Sequence, residues 1–190
     1  MKCLHTTVLC FGLLAAPLTA SAAEVPAEGF LCCNMRTDGN WITDINYEES
    51  GKSIIPMGTP VKFKGIGRNR VEIEVDGKTQ YLGNDYSRDL SMEVFAQRYI
   101  VARNPKQLLA SMPPRIREAV NSAKVAIGMT REQVAMAVGY PVSSETPSLN
   151  APAWKFWLWS FSPFTVHFDS QGRVSRVETD PDTLNKVVAR

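Results

Sequence analysis

The sequence predicts an α+β protein: a strand-rich first half forming a small β-barrel, a helical middle, and a short helix followed by a β-meander. Three observations carry this. Apolar and charged residues alternate through Val61–Lys64 and Val71–Asp76, the period of two of half-buried strands. From 87 to 126 the apolar residues move to helical spacing. Then comes one fully punctuated helix, "MTREQVAMAVGYP", ahead of an aromatic run, "WKFWLWSF".

The N-terminus comes first in order. Lys2 precedes an apolar run, Val8–Leu18, and then Ala20 and Ala22 frame Ser21. Charge, apolar run and small-residue site in that order predict a secretory signal peptide over residues 1–23. The run is far shorter than the ~20 residues of a membrane span. Neither Cys10 nor Cys32 follows a small-residue motif suited to lipid attachment, so the expected product is soluble and periplasmic. Removing residues 1–23 leaves 20 basic against 19 acidic side chains, with no polybasic run, which gives no reason to expect nucleic acid.

Cys32 and Cys33 are then the remaining cysteines. Neighbours on a strand point to opposite sides, so the first expectation is two thiols, one inward and one outward. A disulfide between them, or a redox or intermolecular role, stays open beside it. Two adjacent cysteines without further ligands nearby do not make a zinc site.

Strands are expected at "GFLCCNM" and, beyond the turn at Asp38-Gly39, through residues 57–83. Val61 and Phe63 share one face, as do Val71, Ile73 and Val75. Asp76-Gly77 suits a tight hairpin turn. "GIGRNR" lies between strands and lacks the third glycine, so it is not a nucleotide loop. Leu90, Val94, Phe95 and Tyr99 fall near one helical face, Asn104-Pro105 opens a second short helix, and Ile116, Ala119, Val120 and Ala123 form the stripe of a third. The module boundary is expected within 103–115: a β-rich domain with a trailing helix over 24–103, an α+β domain over 104–180, and a tail over 181–190.

The fourth helix is expected over 131–138. Thr130 and Gln133 form a capping box, Met129 and Val134 a hydrophobic staple, and Gly139 closes the helix. A polar loop follows to Ala153. The meander comprises "WKFWLWSF", "FTVHF" and "RVSRVE", with Phe164, Val166 and Phe168 on one face of its middle strand.

Two resemblances attach to these elements. "IGMTREQVAMAVGYP", "WKFW" and "FTVHFDSQGRVSRVE", within residues 124–178, resemble the SmpA/OmlA (BamE-like) outer-membrane protein family. That resemblance implies a two-layer domain of two helices on a three-stranded antiparallel sheet. It also implies a non-enzymatic role in binding or stabilising an envelope protein, linked to outer-membrane assembly or integrity. "GTPVKF…VEIEVDGKTQYLG", within 30–86, resembles bacterial SH3-like domains. This second resemblance implies cell-wall peptide binding as an alternative function. A third reading, an inhibitor of an envelope enzyme, follows from a likeness of the C-terminal layout to β-lactamase inhibitor proteins.

The residues themselves carry no catalytic motif. His167 and Asp169 share a strand face with no nucleophilic serine on a strained turn, and Glu48-Glu49 and Glu72-Glu74 read as solvated carboxylates. No cofactor or metal is implied. The candidate site is the aromatic strand. Strand alternation puts Trp154, Phe156 and Leu158 on one face and Trp157, Trp159 and Phe161 on the other. One row is core; the second needs a cover, either from this chain or from a partner. Trp157, Trp159, Phe161 and Trp154 are therefore the candidate protein-binding residues, with the 141–153 loop near the contact and Cys32 and Cys33 as the candidate redox or disulfide pair.

Overall fold

Alternation and turn chemistry place most strands where they were expected. A computed structural model describes residues 24–190; the expected signal peptide lies outside the described residues. The strands of the first half are β1 (Glu28–Leu31), β2 (Met35–Thr37), β3 (Trp41–Thr43), β4 (Ser53–Ile55), β5 (Pro60–Ile66), β6 (Arg70–Val75) and β7 (Lys78–Gly83). Next come α1 (Met92–Tyr99), β8 (Ile100–Val101), α2 (Lys106–Ala110), α3 (Pro114–Asn121) and α4 (Arg131–Val138). The chain ends with β9 (Ala153–Trp157), β10 (Pro163–Phe168), β11 (Val174–Glu178) and α5 (Pro181–Val187).

The result is α+β. One curled six-stranded sheet has the order β3-β7-β6-β5-β1-β8; a second has the order β11-β10-β9; β2 and β4 pair as a small ribbon. Asp76 and Gly77 both take positive φ, 49° and 74°, which matches the twist a two-residue hairpin needs between β6 and β7. Val71, Ile73 and Val75 point inward, joined by Leu31, Ile42, Leu82, Phe95 and Tyr99 in one core. Helix α1 turns Phe95, Ala96 and Tyr99 into that core, while Val94, expected on the same face, is 44% exposed. Phe95, Ala96 and Tyr99 set the inner stripe, and at about 100° per residue that places Val94 on the far side of the helix.

The second core gathers Ile116, Ala119 and Val120 of α3 and Val134, Ala135 and Ala137 of α4. Trp154, Phe156, Phe164, Val166 and Phe168 of the second sheet complete it. Helix α4 is capped as expected: Thr130 Oγ1 accepts from Gln133 N, and Gln133 Oε1 accepts from Thr130 N at 2.9 Å. Residues 181–190, expected as a tail, carry α5 instead. Asp180 caps it through the Asp182 and Thr183 N–H groups, and Pro181 occupies its first turn. Val125 N donates to Val187 O, and Ala189 N to Val125 O, so the chain end is stitched to the start of the second half.

Two asparagines join the halves. Asn34 donates through Nδ2 to Val120 O at 2.7 Å and Ala137 O at 3.1 Å, accepts from Met57 N, and donates its own N–H to Met136 O. These carbonyls lie in the last turns of α3 and α4, where a helix leaves C=O groups without their i+4 partners; Val120 O also accepts from Ala123 N. Asn46, at φ 56°, donates to Val138 O and to Asn34 O and accepts from Arg36 N. Gly139, also at positive φ, lets the chain pass close by: a Cβ there would sit 3.3 Å from Asn46 Nδ2. Among the described residues no helix is long and apolar enough to cross a membrane.

Candidate protein-binding surface

The aromatic run divides by position. Trp154, Phe156 and Leu158 lie in the core at 1%, 6% and 5% exposure. Trp154 packs edge-on against Phe168 at 5.1 Å, and its Nε1 donates to Leu149 O. Trp154 is thus corrected from a binding candidate to a core residue. Its neighbours across the second sheet, Val166 and Phe168, already fill the surface it faces.

Trp157, Trp159 and Phe161 do not form one strand row. β9 ends at Trp157, because Leu158 N donates to Ser162 O and Ser162 N to Trp159 O, which bends residues 158–162 into a turn. Lys155 Nζ lies 4.6 Å from the Trp157 ring, and Lys186 Nζ of α5 lies 4.2 Å from the Trp159 ring. Both tryptophans are half-buried, so part of the expected cover comes from this chain. Phe161 is left 91% exposed at the tip of the hairpin.

That tip is braced. Glu48 N donates to Leu158 O at 2.8 Å, and the Tyr47 hydroxyl pairs with the Ser160 side chain. Partial burial holds the Tyr47 phenol above its ordinary pKa. The first half of the chain therefore props the turn that presents Phe161. Trp157 Nε1 is buried with no acceptor among the described residues.

The 141–153 loop is clamped down, not extended toward solvent. Val142, Ser143 and Thr146 are buried. Ser143 N donates to Ser87 Oγ, Ser143 Oγ donates to Asp89, and Ser144 N donates to Tyr86 O. Lys155 pairs with Glu145 at 2.7 Å. Beneath this clamp lies Asp44, 2% exposed, accepting the N–H groups of Asp85 and Tyr86 and the Ser87 hydroxyl. Burial pushes its carboxyl up to about 6, against the pull of those hydrogen bonds.

Cys32 and Cys33 are both buried, at 7% and 0%, and are joined as a disulfide between neighbours. The expected inward and outward pair is corrected: the strand ends at Leu31, so strict alternation stops before the cysteines. His167 contacts Glu178 at 2.9 Å instead of Asp169, whose carboxylate accepts from Gln171 N and Arg173 N in the β10–β11 turn. Glu48, Glu49 and Glu74 each pair with a cation, Arg36, Lys52 and Lys62 with Lys64 respectively. Among the described residues no group of three His, Cys, Asp or Glu side chains could hold a metal ion.

Sequence reasoning missed Asn34, Asn46 and Asp44. Asn46 had one usable signal, since asparagine tolerates positive φ better than most residues. Asn34 had none beyond being polar next to an apolar strand.

No protein-family model matches the chain, and neither a curated protein nor a solved structure matches it.

Proposed function

We propose that this protein is a non-enzymatic component of the cell envelope that binds another envelope protein through the braced 157–161 hairpin tip. The observation that carries this is Phe161. A phenylalanine at 91% exposure forgoes burial worth on the order of 1.5–3 kcal/mol, yet it sits on a turn held by hydrogen bonds from both halves of the chain. Rigid aromatic side chains presented this way are the usual anchors of protein–protein contacts. The signal-peptide pattern and the SmpA/OmlA resemblance support the envelope setting, periplasmic and in contact with the outer membrane through the partner. In this reading the curled sheet is an SH3-like barrel, and α3 and α4 with the second sheet form a BamE-like layer.

The test is a photo-crosslinking amino acid at position 161 in cells expressing the full chain. One dominant envelope-protein adduct is expected, absent when the crosslinker replaces exposed Lys78. Equal adducts from both positions would sink the proposal.

A further inference from the structure

Beside the aromatic tip lies a polar hollow of about 520 Å³, framed by Arg36, Glu48, Glu49, Lys52, Lys124 and Lys186 among others. Its charges do not cancel. Arg36 is paired with Glu48 at 3.0 Å and Lys52 with Glu49 at 2.9 Å. Among the described residues, Lys124 and Lys186 have no carboxylate within 4.0 Å. The hollow therefore carries two uncompensated positive charges. Their backbones are held: Lys124 precedes the Val125–Val187 stitch, and Lys186 lies on the last turn of α5, its Nζ against the Trp159 ring.

The hollow continues inward. A recess of about 20 Å³ shares Arg36, Glu48 and Lys186 with it and is lined by Trp157. That volume admits one water-sized group. Trp157 Nε1–H, like Arg131 Nε–H, is buried with no acceptor on the described protein. An unpaired buried N–H is uncommon in folded proteins. Lys186 links the hollow to the tip, since it frames the hollow and lies against the Trp159 ring, two residues before exposed Phe161.

We infer that the partner segment is an acidic peptide. Its carboxylates sit over Lys124 and Lys186, and an adjacent apolar side chain packs on Phe161. Charge complementarity sets the orientation, and the aromatic contact supplies the apolar area. This inference rests on the proposed binding tip and names the chemistry of what binds there.

The experiment uses the full chain and a labelled twelve-residue peptide library fixed at a Glu-x-Phe-x-Glu centre, against a matched library with glutamine for glutamate. Fluorescence anisotropy should show the glutamate library binding at least tenfold more tightly at low salt. Lys124→Glu with Lys186→Glu should remove that preference, Lys124→Arg with Lys186→Arg should keep it, and Lys78→Glu should leave it unchanged. Equal binding of the two libraries, or a preference that survives Lys124→Glu with Lys186→Glu, overturns the inference. So does binding to phosphatidylglycerol vesicles that Lys124→Glu with Lys186→Glu abolishes while neither library binds, since the cations would then serve a lipid surface. A position-161 adduct obtained alongside any of these negative results leaves the binding tip standing and rejects only the acidic peptide. Failure of the adduct as well rejects both.

Discussion

The seam between the two halves and the 157–161 tip are built on opposite terms. At the seam, polar side chains are buried and fully engaged: Asn34 and Asn46 are 4% and 6% exposed, and each makes several hydrogen bonds. At the tip, an apolar side chain is exposed while the residues around it carry the hydrogen bonds that hold the turn. The seam inverts the usual inside–outside preference for stability and geometry. The tip inverts it with no gain inside the chain. The contrast separates residues that hold the structure from residues free to serve something else.

The comparison breaks first at Asn34. Asn34→Leu keeps the branching at Cγ but leaves Ala137 O and Met57 N without their side-chain partner, while Val120 O keeps Ala123 N. Each buried group left unsatisfied costs roughly 1–3 kcal/mol, so a loss of about 3–5 kcal/mol is expected in urea unfolding. Loss below about 1 kcal/mol would mean that the two helix ends do not depend on the seam.

Asp44 sharpens the same side of the contrast through pH. Its carboxyl is held near 6 in the folded state against an ordinary 3.8, first because burial penalises the charge. The folded state therefore binds the proton more tightly than the unfolded state. The stabilisation is complete below pH 3.8 and is lost as pH rises through about 6. At about 1.4 kcal/mol per pKa unit the span is about 3 kcal/mol. Asp44→Asn removes the charge while an amide oxygen can still accept from Asp85 N and Tyr86 N. Its stability should be nearly flat from pH 4 to 7 and should exceed that of the parent at pH 7. A parent curve that rises across the same window would show that the Ser87 and backbone hydrogen bonds outweigh desolvation.

What was legible in the sequence follows the reach of each interaction. Val71, Ile73 and Val75 reveal their strand because alternation is local, and Thr130 with Gln133 reveals a helix start because the box spans three residues. The two faces of β9 were legible for the same reason, although Trp154, expected among the binding residues, belongs to the inward one. Asn34 was not, because its partners lie 86 and 103 residues away and nothing near it marks the distance. Asp180-Pro181 did carry a helix start, but the helix it opens has only seven residues and a weak apolar stripe. The "SFSPF" stretch, with its proline, marks a turn after β9, but not that Leu158 and Ser162 close it early enough to end the strand at Trp157. The candidate site was therefore half legible: the segment was identified, but which of its aromatics reaches solvent was decided by the turn and by α5.

The smallest expected effect on stability is the most discriminating one. Phe161→Ala removes a side chain whose surface is already 91% in water, so little apolar area is lost to solvent on truncation. Its backbone turn, closed by Leu158, Trp159 and Ser162, needs nothing from the ring. Unfolding free energy should stay within about 0.5 kcal/mol of the parent, as for surface positions free of special contacts. Anisotropy with the glutamate library should nevertheless weaken at least tenfold. A residue kept for folding would give the reverse pattern, with stability falling and binding following only in proportion to the unfolded fraction. Measuring both quantities on one variant therefore tests whether the tip is an exposed remnant of the core or a surface built for contact.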